Sequence, residues 1–294
     1  VTWQFTLTGL LIGALVGLTG MGGGSLMTPI LVIVFGFQPT YAVGTDILHG
    51  AIFKSFGALR HRRLGTVHAR LAGLMFIGSG PMSLAGVAVA AWFKHRYGSS
   101  AQTVEGYAVG AALVAGGIGF LVKSVVTKGI KPDDAPFLLE RRDKIVAVAL
   151  GAVFGFVVGL TSVGSGTFFG LVMVLVYPLT MPKIVGTDIF HAAALLWVAG
   201  IGHLVAGNVD LHATAWLLIG SIPGVLISSR FTVRLPDGAL RATLGTVLTL
   251  SGLKLLKVPG ADWILIGGLV GLGLALAGYA VRAWLAPRAE PGRV

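Results

Sequence analysis

The sequence has no cysteine, and only 11 of its 294 residues are Asp or Glu. Without cysteine there is no disulfide framework, no thiolate metal site and no thiol nucleophile. Charged residues of both signs reach only 11%, against about 25% in an ordinary soluble domain. Seven scattered histidines show no zinc spacing, and no glycine-rich loop ends in Gly-Lys-Ser/Thr, so neither a metal centre nor a phosphate loop is expected. No nucleophile–base pair and no cofactor loop stand out. The chain therefore does not read as an enzyme, and no cofactor is expected.

What remains is apolar. Hydrophobic residues make up 55% of the chain and glycine contributes 45 residues. A chain of this length has too little interior to hide that much apolar surface from water, so its solvent is lipid. Abundant glycine suits closely packed or broken membrane helices. The net charge of +11 lies in short turns between apolar runs. That is the pattern of a topology signal, not of a nucleic-acid footprint.

The sequence states one stretch twice. Residues 17–25 read Gly-Leu-Thr-Gly-Met-Gly-Gly-Gly-Ser, and Gly44-Thr45-Asp46-Ile47-Leu48-His49 follows an apolar run. Residues 159–167 read Gly-Leu-Thr-Ser-Val-Gly-Ser-Gly-Thr, and Gly186-Thr187-Asp188-Ile189-Phe190-His191 follows in turn. The offset of 142 residues holds without a gap from Gly9/Gly151 to Pro81/Pro223, which marks an internal duplication.

Each copy begins with an apolar segment cut by glycines: 5–19 and 26–36 in the first, 145–161 and 168–177 in the second. The pair is either a re-entrant hairpin or two tilted spans. A polar helix follows at 41–60 and 184–203, then spans at 71–93 and 103–126, and at 212–229 and 239–256. The chain divides into a first membrane repeat (1–126), a cytoplasmic linker (127–144), a second repeat (145–257), and an extra transmembrane helix with a C-terminal tail (258–294). Putting the basic linker inside places the Arg60, Arg62, Arg63 and Arg70 turn inside as well. The N-terminus then lies outside and the C-terminus in the cytoplasm. The basic turn follows the polar helix in the first copy but comes one span later in the second, as copies of opposite orientation require. The expected fold is an all-α polytopic membrane protein of two inverted-topology repeats with glycine-broken helices plus one extra C-terminal helix. Counting each broken segment as a single crossing would instead give parallel copies.

A helix broken inside lipid leaves unpaired N–H and C=O groups, each costing several kcal/mol, so a break persists where those groups line a cavity or bind something. Helix starts carry a partial positive charge and free N–H donors, which suit an anion. The candidate binding groups are thus Gly22, Gly23, Gly24 and Ser25, with Gly164, Ser165, Gly166 and Thr167. Close helix packing by the glycines is the simpler alternative. Thr45 and His49 share a helix face, as do Thr187 and His191, and are expected to line the same path. Asp46 and Asp188 are candidate coupling residues, with capping of their own helices equally open. Lys54, matched by Leu196, either points inward or snorkels to the cytoplasmic edge. His61 and His203 fall at helix ends. Pro81 and Pro223, each in Gly-Ser-x-Pro, are expected to kink their helices.

Twin halves with a Gly-Leu-x-Gly-x-Gly-Gly-Gly-like break and a Gly-Thr-Asp helix resemble the TauE/SafE sulfite exporter family, over about Gly9 to Lys257. The resemblance implies a bacterial inner-membrane permease for sulfite, sulfonates or related organic anions. Its motif falls on Gly22, Gly23, Gly24 and Ser25, and on Gly164, Ser165, Gly166 and Thr167, where Ser165 departs from the triple glycine. A small anionic substrate and the lipid bilayer are the expected partners, and a homodimer is compatible. The alternative is a proton-coupled carrier of a cation or neutral solute using the two aspartates.

Overall fold

The computed structural model describes residues 2–19, 24–126, 139–228, 237–268 and 270–271. Most of the 127–144 linker, the tail, and the far part of the extra helix lie outside them. Among the described residues every regular element is helical. The first copy gives α1 (Thr2–Thr19), α2 (Gly24–Ile33), α3 (Pro39–Arg63), α4 (Ala69–Tyr97) and α5 (Ser99–Val126). The second gives α6 (Arg141–Thr161), α7 (Phe168–Val176), α8 (Met181–Val205), α9 (Leu211–Ser228) and α10 (Asp237–Leu255). Residues 261–268 are also helical. Four described helices (Ala69–Tyr97, Ala101–Val122, Arg141–Thr161, Met181–Val205) are long and apolar enough to cross a membrane.

The punctuation of the two copies is the same. Pro39 opens α3 and Pro182 sits in the first turn of α8, where a missing N–H costs nothing and a fixed φ favours the helix. At the far ends Gly65 and Gly207 adopt φ of 69° and 66°, which only glycine reaches without strain. Thr66 N then bonds His61 O, and Asn208 N bonds His203 O, closing matching Schellman turns. α6 starts at Arg141, four residues inside the expected linker, where the Asp143 carboxylate accepts from Glu140 N at 3.0 Å.

The broken segments are hairpins. Tyr177, just past α7, donates from its hydroxyl to Asp143 O at the start of α6 (3.1 Å). In the first copy Phe35, just past α2, stacks on Phe5 near the start of α1 at 4.6 Å between ring centroids. Each short helix thus returns along the one before it. With 10 and 9 residues, α2 and α7 are about 15 Å long, half of what a crossing needs. Met27, Leu31, Phe169 and Met173 are fully buried, so both lie inside the bundle.

Glycine faces set the pairing. A Cβ on Gly9 or Gly13 would lie 2.2 or 2.3 Å from the carbonyl oxygen of Leu217 or Ser221 on α9. Their counterparts Gly151 and Gly155 meet Met75 and Ser79 of α4 at 2.3 and 2.4 Å. Contacts climb together along α1 and α9, and along α4 and α6, so both pairs are parallel. Along α3 and α8 they climb in opposite senses: Gly50 meets Leu196, while Gly57 meets Ile189. Likewise Gly110 of α5 faces Gly252 of α10, and Gly117 faces Gly245. These pairs are antiparallel. The contacts between copies are therefore reciprocal, and the copies interlock, with α1 held by α9 and α6 held by α4.

This packing predicts that Gly155→Val forces α4 and α6 apart and destabilises the fold by roughly 1–3 kcal/mol, the usual cost of overpacking. Gly73→Ala, with nothing within 4 Å, should cost none. Thermal unfolding in detergent separates the two.

Candidate functional site

Polar side chains from both copies converge where the second hairpin turns. Ser162 ends α6 in the left-handed region (φ 64°), and Gly164 and Gly166 follow at φ 116° and 127°. The N–H groups of Gly166, Thr167 and Phe168 all turn back to Gly164 O, at 2.8, 3.2 and 3.2 Å. Thr167 takes the N-cap position of α7. The next two N–H groups of its first turn, Phe169 and Gly170, reach no backbone carbonyl outside the helix among the described residues.

Asp46 reaches this turn from α3. It is 1% exposed, and its Oδ2 accepts from Thr28 N (3.2 Å), Thr28 Oγ1 (2.6 Å) and Ser162 Oγ (2.8 Å). Its Oδ1 has no partner. The capping role open to Asp46 and Asp188 from sequence does not hold. The prolines start both helices earlier, at Pro39 and Met181, so each aspartate lies about two turns inside. Asp46 instead ties the first hairpin to the second.

Lys54 points inward. It is 3% exposed, and its Nζ donates to Ser165 Oγ (2.9 Å) and to Ser165 O. The charges of Asp188 and Asp46 both act on it. The snorkelling alternative fails because five residues lie between Lys54 and the last turn of α3 (Arg60–Arg63), and Ser165 offers two oxygens in the interior. Asp188 is itself 5% exposed.

The histidines pair reciprocally. His49 Nε2 lies 2.9 Å from Ser221 Oγ, and His191 Nε2 lies 2.8 Å from Ser79 Oγ. His191 also packs on Phe169 of α7, at 4.3 Å between ring centroids, while His49 stacks on Phe53. The histidines thus hold α9 and α4 to the central helices. Thr45 and Thr187 are engaged away from the turn: Thr45 Oγ1 accepts from Asp210 N (3.0 Å) and Thr187 Oγ1 from His68 N (2.9 Å). They fix the loops entering α9 and α4. Gly24 opens α2, whereas Gly22, Gly23 and the Ser25 side chain lie outside the described residues.

The expected cavity at the second break is closed. Residues 161–167 are all buried. Space lies beside it instead, in a cavity of about 410 Å³ between α5, α6 and α7 lined by alanines, Phe154, Thr161 and Phe168. Among the described residues no cluster of three or more His, Asp or Glu could hold a metal.

Sequence reasoning missed Ser79, Ser221, Thr28 and Ser162. The two serines could have been found, since they share the 142-residue offset. Thr28 and Ser162 could not, because their counterparts are Gly170 and Gly20. A second missed cluster lies at one end of the bundle. There Lys94 Nζ donates to Asn208 Oδ1 (2.8 Å) and sits over Tyr41, and Thr40 Oγ1 donates to Glu105.

Interlocked apolar helices packed around buried polar and charged side chains define a multi-pass membrane protein. The comparisons agree. The family model described as "Sulfite exporter TauE/SafE" matches residues 5–255, and the chain belongs to that family. It is 38% identical over 250 residues to the probable membrane transporter protein YjnA of Bacillus subtilis, covering 85% of this chain and 98% of the relative. It is 25% identical over 247 residues to the probable membrane transporter protein YdhB of the same organism, covering 84% and 96%. No solved structure matches the chain. The protein is a membrane transporter and not an enzyme.

Removing one partner of a buried hydrogen bond costs roughly 1–3 kcal/mol. Ser221→Ala, which strands His49, and Ser79→Ala, which strands His191, should each lower stability by that amount, read as thermal unfolding in detergent.

Proposed function

We propose that the protein is a secondary transporter that exports small sulfur-containing or organic anions, such as sulfite or sulfonates, through the centre where Lys54 meets the second break. The observation that carries this reading is the buried Lys54 ammonium on Ser165, beside the start of α7. The ammonium and the Ser165 hydroxyl can both donate to an oxyanion. The positive end of the α7 dipole adds to the attraction. This half of the site has no symmetric equal, because Leu196 and Gly23 correspond to Lys54 and Ser165. One anion at one centre suits that asymmetry better than a symmetric pair of sites.

Across a bilayer, antiparallel counterparts and hairpins that return to their starting side make the copies inverted repeats, the architecture of alternating access. The buried turn then corresponds to an occluded state. The basic turn after α3 and the linker face the cytoplasm of a bacterial inner membrane, with the N-terminus outside and the C-terminus inside. An anion crossing without a compensating charge would gain about 2.3 kcal/mol per charge at 100 mV on leaving an inside-negative compartment.

The test is uptake of radiolabelled sulfite, sulfoacetate and methanesulfonate into proteoliposomes. Flux of at least one is expected, lowered at least tenfold in Lys54→Met as measured on the folded fraction from size-exclusion chromatography, since removing the ammonium alone leaves two buried carboxylates uncompensated and costs stability. Flux of none, with binding of a cation instead, would favour a carrier that uses the two carboxylates as ligands.

A further inference from the structure

The charges of the centre do not match an anion arriving alone. Asp46, Lys54 and Asp188 are each 5% exposed or less. The charges of Asp46 and Asp188 both bear on Lys54, so the centre holds two carboxylates for one ammonium. The other titratable groups close by are His49 on α3, held by Ser221 of α9, and His191 on α8, held by Ser79 of α4. The hairpins add only neutral groups: Thr28 from α2, and Ser162 and Ser165 from the second turn. A monoanion entering here brings a further negative charge into a water-excluded interior, where an uncompensated charge costs several kcal/mol. One proton entering with each monoanion leaves the net charge of the centre unchanged between the empty and loaded states.

The geometry selects the group that takes the proton. Three donors converge on Oδ2 of Asp46, and none reaches Oδ1. Such one-sided bonding suits a neutral carboxyl group, whose carbonyl oxygen accepts and whose hydroxyl donates. A proton on Oδ1 would be a buried donor with no acceptor among the described residues, and an oxygen of the anion supplies one. The same residue bridges the two hairpins, through Thr28 and Ser162. Its protonation therefore bears directly on how the hairpins are held together.

We propose that the transporter moves one proton with each monoanion, and that Oδ1 of Asp46 carries that proton as the hydrogen-bond donor to the bound anion. The proton comes from water on the side where the anion enters and returns to water where it leaves, so the centre carries the same charge loaded and empty and a full cycle moves no net charge. This rests on the anion reading of the preceding section and adds coupling to it.

The experiment uses the full chain in proteoliposomes loaded with a pH-sensitive dye. Methanesulfonate, whose charge is fixed across the working pH range, is the probe, and the membrane potential is clamped with valinomycin and potassium. An inward methanesulfonate gradient is expected to acidify the lumen by about one proton per anion, with flux unchanged by the clamped potential. Asp46→Asn, which cannot release a proton, should lower acidification at least tenfold while slowing methanesulfonate exchange much less. Methanesulfonate flux without acidification, or steered by the potential, would overturn the coupling and leave the anion reading standing. Acidification that persists unchanged in Asp46→Asn would overturn the assignment to Asp46. Absence of flux with methanesulfonate, sulfite and sulfoacetate alike would remove both. The wild-type measurement decides the coupling even where the variant does not fold.

Discussion

The contact on which the molecule depends is backbone against backbone, made where a glycine on one helix lets a carbonyl of the next approach. Gly9 and Gly13 bring α1 onto α9, and Gly151 and Gly155 bring α6 onto α4, closer than any side chain would permit. Helices in lipid gain little from apolar burial against each other, since lipid tails are equally apolar. Close approach, with the dispersion contacts it brings, supplies the holding force instead. It also explains a composition so rich in glycine.

The same contacts make the halves inseparable. Because α1 belongs to one copy and α9 to the other, neither copy is a body that can move alone. Any exposure of the centre to the two sides must come from elements that the glycine pairs leave less constrained. The hairpins are the natural candidates, since α2 and α7 are short, end inside the bundle, and carry Thr28 and the Ser162–Thr167 turn to Asp46 and Lys54. A buried aspartate that bridges both hairpins is well placed to sense what lies between them.

Duplication laid down a symmetric frame, and substitution then made its centre unequal. Schellman turns and histidine–serine pairs survive in both copies. Thr28, Lys54, Ser162 and Ser165 do not, their counterparts being Gly170, Leu196, Gly20 and Gly23. The conserved pairs are the ones that hold helices together. The unequal residues are the ones that put charge and hydroxyl groups at the second break.

The sequence by itself determined the solvent, the duplication and nearly every helix. Hydrophobic run length and proline or glycine punctuation act locally, so they can be read without knowing what packs where. It also marked Asp46, His49, Lys54, Asp188 and His191 as residues lipid alone would not tolerate. Only the tertiary structure decided what those residues face. Whether Lys54 snorkelled or turned inward depended on Ser165, 111 residues away. Whether Asp46 capped its helix or bridged the hairpins depended on Thr28 and Ser162, the latter 116 residues away. Thr45 and Thr187, which helix periodicity placed beside the histidines, turned out to hold loops of the opposite copy. A polar group buried in lipid must find a partner, and the sequence states the need without naming who meets it.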